Sequence, residues 1–120
     1  MVRLINLTPH EITVVGEDGE PIATFPPSGK VARVQQNAEK IKEVEIRGVK
    51  IDVVRTEYSE IIDLPEKREN TVFLVSVLVL QALKQRGIER NDVVAPDTGP
   101  ESAVRDEKGN IVGVRRFMVL

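Results

Sequence analysis

Thr71-Val72-Phe73-Leu74-Val75-Ser76-Val77-Leu78-Val79-Leu80-Gln81-Ala82-Leu83-Lys84-Gln85-Arg86-Gly87 changes character in its middle. The residues from Thr71 to Val75 are β-branched, aromatic or Leu, the composition of a buried strand. From Val77 the apolar positions Val77, Leu78, Leu80, Ala82 and Leu83 give way to Lys84, Gln85 and Arg86, which predicts a helix near residues 77–86 with a basic last turn. Ser76 suits the N-cap, because a side-chain oxygen there accepts one of the orphan N–H groups of the first turn. Gly87 suits the C-terminal stop. One helix in a chain otherwise patterned as short strands predicts an α+β fold, a mainly antiparallel sheet of hairpins with one principal helix.

Upstream lies the clearest period in the chain. Val44, Ile46, Val49, Ile51 and Val53 alternate with Glu45, Arg47, Lys50 and Asp52 across the break at Arg47-Gly48. Alternation by two puts the apolar residues on one face of a strand pair and the charges on the other, so a half-buried hairpin is expected. Its opposite-sign charges read as a solvated face with cross-strand pairs.

Further strands are expected at Val2–Leu7 and Glu11–Val15, separated by Thr8-Pro9-His10, and at Pro21–Phe25 after the turn Gly16–Glu20. Pro26-Pro27-Ser28-Gly29 stops the last of these, because Pro cannot donate to a ladder, and Val31–Gln35 resumes it. Asp92–Ala95 reads as another strand before the stiff loop Pro96–Pro100. Ser102–Arg105 and Ile111–Val119 read as a terminal hairpin around Asp106–Asn110.

With 120 residues the chain suits one domain, residues 1–120. Lys and Arg number 17 against 19 Asp and Glu, a net charge of −2, and aromatics are 3% of the chain. Phosphate contacts need concentrated cations and base stacking needs aromatics, so the composition argues against a nucleic-acid partner. The absence of Cys excludes disulfides and thiolate zinc sites. The longest apolar stretch, Val72–Leu80, is far short of the roughly 20 residues of a spanning helix. No targeting segment is visible, so a cytoplasmic protein without membrane contact is expected. Heavy use of Glu, Lys, Val and Ile leans toward a heat-adapted source.

His10 is the only His, set in a Thr-Pro-His-Glu turn where Glu11 could orient its ring. A two-His metal site is thereby excluded within one chain; a carboxylate-only Mg²⁺ site stays open, with no spacing such as D-x-D-x-D-G to support it. Ser28-Gly29-Lys30 resembles a phosphate loop but fails the P-loop test, with Thr24 at the first Gly and Val31 at the metal-binding hydroxyl. Asp97-Thr98-Gly99, followed later by Ile111-Val112-Gly113, echoes the retroviral aspartic proteases, in which two carboxylates share a proton. The segment between is too short for a flap, and Pro96 and Pro100 bracket the triplet, so an Asp-turn is the stronger reading. Arg33, Arg90, Arg105, Arg115 and Arg116 would form an anion site if their loops converge, and are otherwise surface charges.

Leu7-Thr8-Pro9-His10, Phe25-Pro26-Pro27-Ser28-Gly29 with Ala32-Arg33, Leu64-Pro65, Val75-Ser76, Asp92-Val93-Val94-Ala95-Pro96, and Arg105-Asp106 with Gly109 and Val112-Gly113 occur in that order. Together they resemble a family of small uncharacterised proteins from prokaryotic and bacteriophage genomes that open with a Leu-Thr-Pro-His motif. The resemblance runs along most of the chain, with Lys84–Arg90 longer here than in those relatives. It implies no reaction. It does imply that Thr8, His10, Ser28, Arg33, Arg90, Asp92, Arg105 and Asp106 are the polar positions to examine.

The expectation is a small soluble binding protein, of phage or mobile-element origin, that captures an anionic small molecule or protein partner without catalysis, cofactor or metal. Its site would combine His10, Arg33, Arg105 and Asp106, with the two Arg making charge-assisted hydrogen bonds. Two alternatives stand beside it. One is a hydrolytic enzyme with His10 or Asp97 as general base; the other is a structural subunit that forms homo-oligomers through an exposed sheet edge.

Overall fold

In the computed structural model, which describes residues 1–120, ten strands and one helix succeed one another along the chain. The segment from Thr71 to Gly87 behaves as its pattern requires. Thr71–Leu74 is strand β6 and Val77–Gln85 is helix α1, with the Ser76 side chain accepting from the Val79 N–H and Gly87 at φ 71° just past the last turn.

Strand β6 lies at the centre of a four-stranded sheet with β1 (Arg3–Asn6), β7 (Val93–Pro96) and β10 (Phe117–Met118), in the order β1-β6-β7-β10. Here the fold departs from the expected hairpins: β1, β6 and β7 are mutually parallel, and only β10 runs against them. The crossover from β6 to β7 is made by α1, the usual way to join parallel neighbours. Helix and sheet bury Leu7, Phe73, Val75, Val79, Leu80 and Val93 in one core. Burial on both faces explains the uninterrupted apolar run through Val75.

The second four-stranded sheet has the order β3-β2-β9-β8, built from β2 (Ile12–Val15), β3 (Pro21–Phe25), β8 (Ala103–Arg105) and β9 (Ile111–Val114). The β2–β3 and β8–β9 hairpins are antiparallel as predicted and meet through one parallel contact, Val14 beside Val114. Val31–Gln35 forms no strand, only a bridge between Arg33 and Ile62.

The chain passes between the two sheets four times, and buried polar residues hold the first crossing and the last two. At the first, Asn6 Nδ2 donates to the carbonyls of His10 (2.8 Å) and Phe25 (2.9 Å), while its Oδ1 accepts from the Thr8 N–H and hydroxyl. At the last two, the fully buried Ser102 Oγ, between β7 and β8, accepts the N–H groups of Arg115 and Arg116, between β9 and β10. Phe25 and Phe117 pack with ring centroids 6.4 Å apart, joining the sheets on that side.

The predicted hairpin of the middle region is present, as β4 (Gln36–Ile46) and β5 (Val49–Tyr58), turning at Arg47 and Gly48 with φ 52° and 78°. Positive φ at both turn residues matches the twist of the strands. Its apolar face is covered only in part: Val44 and Val53 are half-buried, but Ile46, Val49 and Ile51 are 54%, 59% and 43% exposed. The strands stand out from the body as an arm with no second layer across from them. Accordingly the radius of gyration is 17.4 Å, where a compact chain of this length has about 14 Å. Only the root is tied down: Tyr58 donates its hydroxyl to Gln81 Oε1, and Gln85 Nε2 donates to the Thr56 carbonyl. No helix is long and apolar enough to cross a membrane.

Candidate functional site

Three parallel strands end together, and the residues just beyond their carboxyl ends face the same hollow. Leu7 and Thr8 lie past the end of β1, Ser76 and Val77 past β6, and Thr98 past β7. With Pro9–Thr13, Val31, Ala32, Pro96 and Ile111–Val114 they line a cleft of about 590 Å³ between the two sheets. The volume lies in the range of small-molecule sites.

The walls are apolar, from Leu7, Ile12, Val31, Val77, Ile111, Val112 and Val114, and the polar groups among them are few. His10 and Glu11 are the only charged or ionisable side chains in the lining. The positive end of α1 opens here with no acidic residue in its first turn. Thr8 is committed to the Asn6 turn, its hydroxyl donating within reach of Asn6 Oδ1 (2.7 Å) and the His10 carbonyl (3.0 Å). The Leu-Thr-Pro-His turn is thus a scaffold: Asn6 and Thr8 fix its backbone and leave the His10 ring at the cleft. Gly113 is required where β9 passes β2, since a Cβ there would lie 2.8 Å from Val15 Cγ1 and 3.2 Å from the Thr13 carbonyl oxygen.

The four residues expected to form one site are dispersed. His10 lines the cleft. Arg33 lines a separate cavity of about 400 Å³ with Lys30, Asp63 and Arg68, reached from the other side of Val31. Arg105 and Asp106 line neither; they build the β8–β9 turn, where Arg105 Nη1 donates to the Gly109 carbonyl at 2.6 Å and Asp106 Oδ1 accepts the N–H groups of Lys108 and Asn110. An Asp at the start of a tight turn caps the turn with its own side chain. Ser76, Thr98 and the Ile111–Val114 strand, which the cleft uses, were legible in sequence only as a cap, a turn and a strand. The signal that marks them is position, immediately after an apolar strand.

Asp97 does not face the cleft as a base. Arg116 Nε donates to its carboxylate at 2.6 Å and the Gly99 N–H donates to its other oxygen at 2.9 Å. Arg116 first, then the Gly99 N–H, hold the Asp97 carboxyl below the usual carboxylate range, the opposite of what a proton acceptor near neutral pH needs. Arg90 and Asp92 also pair with each other at the edge of the core. No cluster of three or more His, Asp or Glu with metal-site spacing exists in the structure. Comparison with known proteins finds no matching family model, no matching curated protein and no matching solved structure.

Proposed function

We propose that the protein is a small binding module whose ligand lies in the cleft between the sheets, apolar in its body and anionic at one end. The observation that carries this reading is the cleft's position beyond the carboxyl ends of β1, β6 and β7. Open α/β sheets bind ligands there because the chain must leave each strand in a loop, bringing main-chain and short polar groups to the rim of an apolar hollow. The apolar walls take the body; His10, Ser76 and Thr98, with the positive end of α1, favour a negative head over a positive one. Glu11 at the same rim adds selectivity against ligands with two or more negative charges. A cytoplasmic setting and kinship with the short prokaryotic and phage proteins fit such a role.

The test is an amide NMR titration with octanoate, octanol and octylamine. Octanoate should shift the Ser76, Val77, Thr98 and Gly113 resonances saturably, octanol more weakly and octylamine least. Val112→Glu, at a position 52% exposed, should abolish the octanoate shifts with the fold intact. Absence of saturable shifts with all three probes rejects the reading.

A second reading is favoured by one specific observation, three cations around a single acid in the smaller cavity: Lys30, Arg33 and Arg68 with Asp63. A small oxyanion would be held there by charge-assisted hydrogen bonds. Titration with inorganic phosphate should then shift Gly29–Arg33 and not the cleft, and Arg33→Ala should remove the effect.

A further inference from the structure

The arm leaves Ile46, Val49 and Ile51 exposed to water, yet with Val44 and Val53 they are arranged as an interior surface. Register pairs Ile46 with Val49, Val44 with Ile51 and Lys42 with Val53, and opposed residues of a strand pair share a face. A lone two-stranded hairpin is at best marginally stable in water, and this one is anchored only at its root by Gln81 and Gln85.

The arm's edge is already guarded. The register shifts between Lys40 and Lys42, and Lys40 bridges to Glu43 (2.9 Å) and Asp52 (3.1 Å) on the charged face. A bulge and edge lysines discourage strand addition. The apolar face carries one lysine, Lys42, and beyond it Val44, Ile46, Val49 and Ile51 stand open toward the turn.

Charge identifies the occupant. On the side of the apolar face Lys42 and Arg55 stand with Glu39 and Glu57, and Arg47 at the turn, while Lys40, Lys50, Glu43, Glu45 and Asp52 lie on the opposite face. A neutral arm with interspersed signs is steered toward neither a polyanion nor a polycation, and it complements itself. At the root of the apolar face Glu39 and Glu57 crowd each other, and that hydrogen bond and repulsion raise the Glu57 carboxyl above its ordinary value. Arg55, across from Glu39, offsets that repulsion only in part, and the turn of a second arm carries a further cation.

We propose that two copies of this chain pack arm against arm, apolar faces together, about a two-fold axis crossing the strands at Val44 and Ile51. In that arrangement Val44 and Ile51 meet their own copies, Ile46 and Val49 cover Lys42 and Val53 of the second copy, and Arg47 comes to the bulge of the second copy, one paired position from Glu39. A face of ten residues is about 30 Å long, which places the contact below the roughly 800 Å² per partner of a standard interface. The dimer is therefore reversible and concentration-dependent, unlike an obligate one.

Sedimentation equilibrium of the whole chain from micromolar to millimolar concentration tests this, with circular dichroism and thermal unfolding as checks of the fold. A monomer–dimer equilibrium is expected. Ile46→Glu should leave monomer throughout, whereas Val54→Glu, equally exposed on the opposite face, should change nothing. Arg47→Glu should weaken the dimer about tenfold, and Glu39→Arg added to it should restore association. Monomeric wild-type protein at every concentration overturns the proposal, as does a Val54→Glu effect equal to that of Ile46→Glu. Because the cleft is not part of the contact, the octanoate titration should be the same in Ile46→Glu as in wild type.

Discussion

Arg90 grips Asp92 with two parallel hydrogen bonds, Nε to Oδ1 and Nη2 to Oδ2, both 2.8 Å long, across a single intervening residue. The same Nη2 reaches the Pro65 carbonyl at 2.9 Å, and the Asp92 carbonyl accepts the Phe73 N–H. The pair therefore ties the 65 loop to the start of β7 and to the central strand. Its side chains are only 18% and 4% exposed, so removal of one partner strands a nearly buried charge. Arg90→Ala should destabilise the fold by about 3 kcal/mol, read from urea unfolding at neutral pH. An unchanged midpoint would mean that the pair is a surface ornament.

The Asp92 pair also sets a pH dependence with a definite sign. Arg90 lowers the Asp92 carboxyl below its ordinary value, the hydrogen bond being the largest cause. A carboxyl depressed in the folded state contributes stability that is fully present above its unfolded value, about 4, and is lost as pH falls through the folded value. Asp97 is depressed in the same direction by Arg116, but Arg116 is 57% exposed and solvent screens the pair. Asp92→Asn should therefore flatten the acid limb of the stability curve more than Asp97→Asn, and each variant should converge on wild type at low pH. Thermal midpoints between neutral pH and strong acid check both statements.

Asn6 predicts a case in which a near-isosteric change is not conservative. Its Nδ2 serves the carbonyls of His10 and Phe25 and its Oδ1 serves Thr8, all at a site 2% exposed. Asn6→Asp keeps the acceptor toward Thr8 but turns an oxygen on two carbonyl oxygens. It should cost at least as much as Asn6→Ala, about 2–3 kcal/mol, and in both variants octanoate should lose its grip because the His10 turn no longer holds one shape. Calorimetric unfolding with the same NMR titration distinguishes this from a purely local effect, in which binding would survive.

Alternation at Val44–Val53 told correctly which side chains share a face, since a period of two follows from strand geometry alone. It could not tell what lies across from that face, because cover is a property of distant chain, and here the chain lays no second layer over it. Likewise Thr71–Gly87 showed strand, cap and helix through local chemistry. The parallel partners of β6 at Arg3–Asn6 and Val93–Pro96 left only the trace of two-sided burial. At the candidate site, the conspicuous charges do not come together: Arg105 and Asp106 satisfy their own turn, whereas the cleft joins His10 to Ser76, Thr98 and apolar side chains at strand ends. Local patterns name residues with strong chemistry, and topology decides which of them meet.

Gly113 tests the cleft from its floor. The residue sits in β9 opposite Val104 and beside β2, and a Cβ there would come within 2.8 Å of Val15 Cγ1 and 3.2 Å of the Thr13 carbonyl oxygen. Val15 is β-branched and 4% exposed, so it cannot swing away cheaply, and the backbone oxygen cannot yield without parting β2 from β9. Gly113→Ala should therefore destabilise by about 1–3 kcal/mol, although its backbone is not in the left-handed region that favours glycine. Because β2 and β9 meet at Val14 and Val114, the separation should widen the cleft and weaken octanoate more than the stability loss alone accounts for. Gly109→Ala is the control: it strains a φ of 86° in an open turn with nothing near its Cβ, so it should lower stability and leave the titration unchanged. Equal effects of the two variants on binding would show that β9 does not shape the cleft.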